Sequence, residues 1–200
     1  MGAVRRAWLQ VISGLSWRLP HWPQRLLTAF GRAEQGSYYD MLAAAELTDD
    51  RRMRRKYLEH ALDEIRHCGL FRERVRALGA VSRAQAADLL AEHGIVGGET
   101  LFERLGELEF MAFVYIAERD AVEQFKVYLA RKLPDPGTQA MLEDILRDEV
   151  FHVSYSKAAL QRFRDAGQGA EVDAALRRVW WRRVREAWLR FSRDLGQAVS

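Results

Sequence analysis

The pattern Asp-Glu-x-x-His occurs twice in this chain, at Asp63-Glu64-Ile65-Arg66-His67 and at Asp148-Glu149-Val150-Phe151-His152. In an α-helix residues three apart share a face, so each Glu projects beside its His. A carboxylate and an imidazole aimed the same way form a two-toothed ligand suited to a first-row metal such as iron or manganese. Two such pairs, with one Glu from each of two further helices, make a dinuclear carboxylate centre inside a four-helix bundle. A single Glu-x-x-His is common by chance, so the reading requires two lone, inward Glu elsewhere.

Glu34 and Glu118 meet that requirement. The face through Glu34 reads Leu27, Phe30, Glu34, Tyr38, Met41, Ala45, and the face through Glu118 reads Leu105, Leu108, Met111, Tyr115, Glu118, Val122, Phe125. The two motif helices show the same interruption, in Met53, Tyr57, Ala61, Glu64, Phe71 and in Leu142, Ile145, Glu149, Ser156, Phe163. An ionised carboxylate within a core costs several kcal/mol unless it is paired or metal-bound. Four apolar stripes, each with one acid near its middle, therefore imply a shared cation site. Tyr38 and Tyr115, one turn from the lone acids, are candidates to hydrogen-bond a ligand carboxylate or relay an electron, against the plainer role of core tyrosines. His60, one turn before Glu64, reads as a polar neighbour.

The elements that must carry these residues follow from prolines, glycines and caps. Pro20 and Pro23 close an amphipathic N-terminal extension, residues 1–23. The bundle occupies 24–166: helix one over 24–47, helix two over 50–78 with Gly79 as its stop, helix three over 99–133 and helix four over 138–166. Gly31 and Gly36 flank Glu34, where small residues admit a neighbouring backbone or a ligand. Between helices two and three lies a long crossover in which Ser82 to Gln85 forms a capping box, predicting a short helix to residue 92. A connection of that length lets helices two and three run parallel. Glu34 and Glu64 stand nearly level across their turn, whereas Glu118 and Glu149 are out of step by about one turn. Residues 167–200 form a basic C-terminal segment, with a short amphipathic helix over 171–195 whose stripe is Leu176, Trp180, Val184, Trp188, Phe191. It packs on the bundle or at an interface. The class is all-α.

At 200 residues and 48% hydrophobic, the chain holds one core. Cys68 alone excludes an internal disulfide and reads as a buried thiol in a reducing compartment. The net charge of +3 is unevenly spread: residues 1–33 carry five Arg and no acid, and residues 176–200 carry seven Arg against two acids. Such ends are either solvated Arg faces or a means of docking on an anionic membrane surface or an acidic protein. No apolar run approaches the ~20 residues of a membrane span. Cytoplasmic placement, peripheral to a membrane at most, is the expectation, and no nucleic-acid motif is present.

With these residues in view, the chain resembles the ferritin-like di-iron carboxylate superfamily over residues 24–166. Ile145-Leu146-Arg147-Asp148-Glu149-x-x-His152 looks like the fourth-helix motif of bacterioferritins, and Ala33-Glu34-Gln35-Gly36 looks more like demethoxyubiquinone hydroxylases. The resemblance implies a ferritin-like four-helix bundle with metal ligands Glu34, Glu64, His67, Glu118, Glu149 and His152, Glu64 and Glu149 being of the bridging type. It implies that Asp63 and Asp148 each hydrogen-bond the imidazole of the opposite motif. Two iron ions are the expected cofactor, with manganese or a mixed pair as alternatives. Ile65 stands where bacterioferritins carry a haem-ligating Met, so no haem is expected, and one Cys cannot form the rubredoxin module of rubrerythrins. The function expected is an O2-dependent di-iron oxidoreductase that hydroxylates, desaturates or cleaves a small or lipid-like substrate with an external electron donor, in a monomer or homodimer. The alternative is a ferroxidase or peroxide-consuming iron-handling protein of the ferritin-rubrerythrin type.

Overall fold

A computed structural model of the chain describes residues 21–79, 99–130 and 133–198, with side chains to residue 185. Nearly all of the N-terminal extension, and the short helix expected over 82–92, lie outside the described residues. Within them are five helices and no strand: α1 (Trp22–Leu47), α2 (Arg51–Ala77), α3 (Leu101–Leu129), α4 (Pro136–Asp165) and α5 (Gly169–Ala198).

Each start has a local cause. Pro23 in the first turn of α1 gives up a backbone N–H that would have no helical partner in any case. Asp50 caps α2 by accepting from the N–H groups of Arg52 and Met53 at 2.8 and 3.2 Å. Thr100 and Glu103 form a reciprocal capping box on α3, and Asp135 accepts from the Thr138 N–H at 2.7 Å to open α4. Arg74, in the last turn of α2, reaches Asp135 at 2.5 Å and so ties the end of one helix to the start of another.

Helix direction follows from the two apolar clusters. Leu27, Phe71, Val75, Phe125, Leu142 and Ile145 share one of them. It therefore gathers the start of α1, the end of α2, the end of α3 and the start of α4. Met41, Tyr57, Phe110, Met111, Ala159 and Leu160 belong to the other, at the opposite ends of the same helices. Hence α2 and α3 run parallel. α1 pairs with α2, and α3 with α4. Gly31 brings the first pair close: a Cβ there would stand 3.3 Å from the Phe71 Cβ.

Two differences from the sequence reading concern α3. Helix three ends at Leu129 rather than 133, and helix four opens two residues early at Pro136; Leu133 itself, directly before Pro134, is disfavoured from helical geometry. Glu118 then lies 11 residues before the end of α3 and Glu149 13 after the start of α4, so the expected one-turn mismatch shrinks to a fraction of a turn. Gly106 sits inside α3 at φ 70°, ψ 162°, a break that nothing in the periodicity announced.

α5 lies mainly along α3 and touches α4. At 30 residues it is longer than the expected 171–195. Its buried face is Val172, Ala175 and Val179, with Leu176 beside them; Trp180 and Val184, expected in the packed stripe, are 45% and 39% exposed. Two small residues and an alanine let the helix axis approach α3 more closely than a tryptophan would. Arg178 and Arg182 reinforce that approach through Glu109 of α3, at 2.7 and 3.1 Å.

Candidate metal centre

The polar residues of the interior form a waist between the two apolar clusters. Glu34 on α1, Glu64 and His67 on α2, Glu118 on α3, and Glu149 and His152 on α4 are all buried. The pairs cross over. His67 Nδ1 lies 3.2 Å from Glu149 Oε1 and 3.9 Å from Glu34 Oε2, while His152 Nδ1 lies 3.6 Å from both Glu64 Oε1 and Glu149 Oε2. Glu149 thus stands between the two imidazoles.

The outer nitrogens are held from behind. His67 Nε2 is 3.1 Å from Asp148 Oδ2 and His152 Nε2 is 3.2 Å from Asp63 Oδ2, each aspartate serving the histidine of the opposite motif. An ionised carboxylate can only accept, so a neutral imidazole there keeps its proton on Nε2 and turns the Nδ1 lone pair inward. Arg66 steadies this arrangement by donating to both Asp144 and Asp148.

Whether these groups suit a metal is answered by atoms that lack partners. His67 Nδ1, His152 Nδ1 and Glu149 Oε2 are buried without a hydrogen bond, and all three face the same space. Buried polar atoms are almost always paired, and lone-pair donors of mixed nitrogen and oxygen type are what a first-row cation takes up. Two sets of four donors have ligand atoms within 4.8 Å of one another: Glu34, Glu64, His67, Glu149, and His60, Glu64, Glu118, His152. Glu64 belongs to both.

The charge state without metal fits the same picture. Burial, with the neighbouring acids adding to it, pushes the carboxyl groups of Glu34, Glu64 and Glu118 well above their ordinary range. Burial acts in that direction on Glu149 too, but its neighbours Glu118, His152 and His67 outweigh it and hold Glu149 well below the usual value. For His152, contacts with Asp63 and Glu149 overcome burial and raise the imidazolium to about 9. These shifts favour protons on the three raised acids, in the positions where cations would offset the same charge.

One side of the waist is open. A cavity of about 390 Å³ lies between α1 and α3, with Glu34, Glu64, Glu118 and Glu149 at its floor. Phe30, Met41, Phe110, Phe113 and Val114 give it apolar walls, Gly36 leaves room in one of them, and Arg183 of α5 stands at its edge 3.5 Å from Asp120. None of the three histidines lines it. The carboxylates face the opening and the imidazoles lie behind them.

The structure also places the tyrosines and His60. Tyr38 and Tyr115 are not brought to the carboxylates. The Tyr38 ring packs 5.0 Å from Tyr39 and the Tyr115 ring lies 5.7 Å from the Arg119 guanidinium, and among the described residues neither hydroxyl bonds Glu34 or Glu118. Both lie on a flank of the stripe, half-buried, rather than on the line that meets the acids. His60 is a polar neighbour of Glu64, as its spacing suggested, and it lies deep in the interior. It is fully buried, with Nε2 2.8 Å from Glu64 Oε1 and Nδ1 2.6 Å from the Tyr155 hydroxyl. Burial, then the charge of His152, keeps its imidazole neutral. The signal was present in the spacing: His60 lies four residues before Glu64 and Tyr155 three after His152, both on the inward face.

Fold and site together define a helical bundle whose interior gathers buried carboxylates and imidazoles that could bind metal ions. The model of the ferritin-like domain matches residues 34–166, about two thirds of the chain, and this protein belongs to the ferritin-like family. Comparison with curated proteins and with solved structures returns no match.

Proposed function

We propose that this protein is a non-haem di-iron oxidoreductase that uses O2 to oxidise a small or lipid-like substrate. The observation that carries this reading is the cavity that ends on the four carboxylates, with Phe30, Met41, Phe110, Phe113 and Val114 in its walls and polar groups such as Arg32, Asp40 and Gln124 among them. Its volume, about 390 Å³, falls in the range of small-molecule sites.

In this reading Glu34, Glu64, Glu118, Glu149, His67 and His152 hold two metal ions, iron by preference and manganese as the alternative. A bound iron pair supplies the electrons that reduce O2, with an external donor restoring them. The rest falls to the chain. Asp63 and Asp148 orient the imidazoles, Phe110, Phe113 and Val114 keep water from the carboxylate face, and the cavity places an apolar substrate against it. The outer face of α5 bears Trp181, 62% exposed, between Arg177 and Arg185, which suits an anionic membrane surface or acidic protein delivering the substrate. No described helix is long and apolar enough to cross a membrane.

Anaerobic loading with Fe²⁺ followed by repeated additions of Fe²⁺ and O2 tests the reading. The expected result is saturation at two irons per chain, with Glu64→Ala and Glu149→Ala each losing the second. Growth of a ferric mineral far beyond two per chain would instead make the protein an iron-handling one. Retention of two irons in either variant would overturn the ligand assignment.

A further inference from the structure

We propose that His60 is a third imidazole ligand, so that the two metal positions differ: Glu34, Glu64, His67 and Glu149 at one, and His60, Glu64, Glu118 and His152 at the other. The inference rests on the metal reading above and adds a ligand to it.

Position comes first. His60 Nε2 points between two acids, 2.8 Å from Glu64 Oε1 and 3.6 Å from Glu118 Oε1. Its ring lies flat on that of His152, with centroids 3.6 Å apart and planes 19° from parallel. Two imidazoles stacked in this way, one from α2 and one from α4, turn their inner nitrogens toward the same carboxylates. The His60 side chain is fully buried, so its inner nitrogen has these acids, and no bulk water, to face.

The support behind the ring matches that of the other two histidines. His67 and His152 each rest an outer nitrogen on an aspartate, and His60 rests Nδ1 on the Tyr155 hydroxyl at 2.6 Å. A phenol can accept, so Nδ1–H donating to Tyr155 leaves the Nε2 lone pair free for a cation. The opposite tautomer directs an N–H dipole at the very oxygens a cation would bind, and that dipole and the cation repel each other. Metal entry thus selects the ligating tautomer, and Tyr155 acts as the positioning residue that permits it.

The full chain loaded with Co²⁺ tests this by proton NMR in water, where the outer N–H of each metal-bound imidazole gives a strongly shifted, exchangeable signal. Three such signals are expected, falling to two in His60→Ala, which should bind the second Co²⁺ at least about tenfold more weakly. Tyr155→Phe should retain three signals while weakening that second site by about 10- to 100-fold, the size of effect expected when a ligand loses its hydrogen-bonded support. Two signals in the unaltered chain with two Co²⁺ bound would overturn the His60 assignment and leave the di-metal reading standing. No tight Co²⁺ binding at all would overturn both. The NMR count in the unaltered chain decides the matter even if the His60 variant fails to fold.

Discussion

Asp148 and Asp63 reach the candidate site only through the histidines they touch, at 3.1 and 3.2 Å. Removing either acceptor, as Asp148→Ala or Asp63→Ala, frees the imidazole to turn and to change tautomer. Affinity for Fe²⁺ should fall by about 10- to 100-fold in an anaerobic calorimetric titration, and unchanged affinity would reduce both residues to helix-surface charges. The acids on the cavity floor make a second prediction. Burial raises Glu34, Glu64 and Glu118 above their ordinary range, so protons compete with metal for these carboxylates. Apparent metal affinity should therefore rise with pH and weaken on acidification. Titrations in buffers of different ionisation enthalpy will show protons released, and a pH-independent affinity with no release would contradict the placement of these acids.

At the level of elements, two glycines separate what the backbone needs from what the cavity needs. Gly106 interrupts α3 in a conformation open almost only to glycine, and just beyond it Glu107 accepts from Thr48 at 3.0 Å and from Tyr57 at 3.3 Å. Gly106→Ala should destabilise the chain by about 1–3 kcal/mol in urea unfolding. Gly36 differs, since it is helical and a Cβ there would meet nothing within 4 Å. Gly36→Ala should leave stability unchanged or raise it by up to about 1 kcal/mol. Equal effects at the two positions would mean that the break in α3 is not a fixed feature. Its location was hidden from the sequence because one glycine within an apolar stripe is as compatible with an unbroken helix as with a kink.

For the whole molecule, α5 distinguishes this protein from a bare four-helix bundle. It covers α3 with Val172, Ala175 and Val179, each fully buried, and adds Arg183 to the cavity edge. Ending the chain at Gln168 would return that surface to water and cost on the order of 3–6 kcal/mol from the apolar area alone. Thermal melting should show the loss. Metal stoichiometry should survive in whatever fraction folds, because all proposed ligands lie on α1 to α4. A truncated chain as stable as the full one would mean that α5 adds nothing to the core.

The family and the helical bundle were legible in the sequence because burial of an acid is costly. Glu34, Glu64, Glu118 and Glu149 could interrupt apolar stripes only if something compensated them together, and the two Glu-x-x-His pairs indicated what. The helix ends were legible from the prolines and Gly79 to within a few residues, since chain-breaking is local chemistry, while the caps Asp50, Thr100 and Asp135 emerged with the structure. Three things awaited the tertiary structure. The level of Glu118 against Glu149 depended on where α3 ended and α4 began, at Leu129 and Pro136. The buried face of α5 turned out to be Val172, Ala175 and Val179 rather than the expected stripe through Trp180 and Val184, because it is the face that packs on α3. The closeness of His60 and Tyr155 depended on α2 and α4 meeting with two rings stacked. Periodicity says which way a side chain points along its own helix, but the distance between side chains on different helices is set by packing, which no single helix encodes.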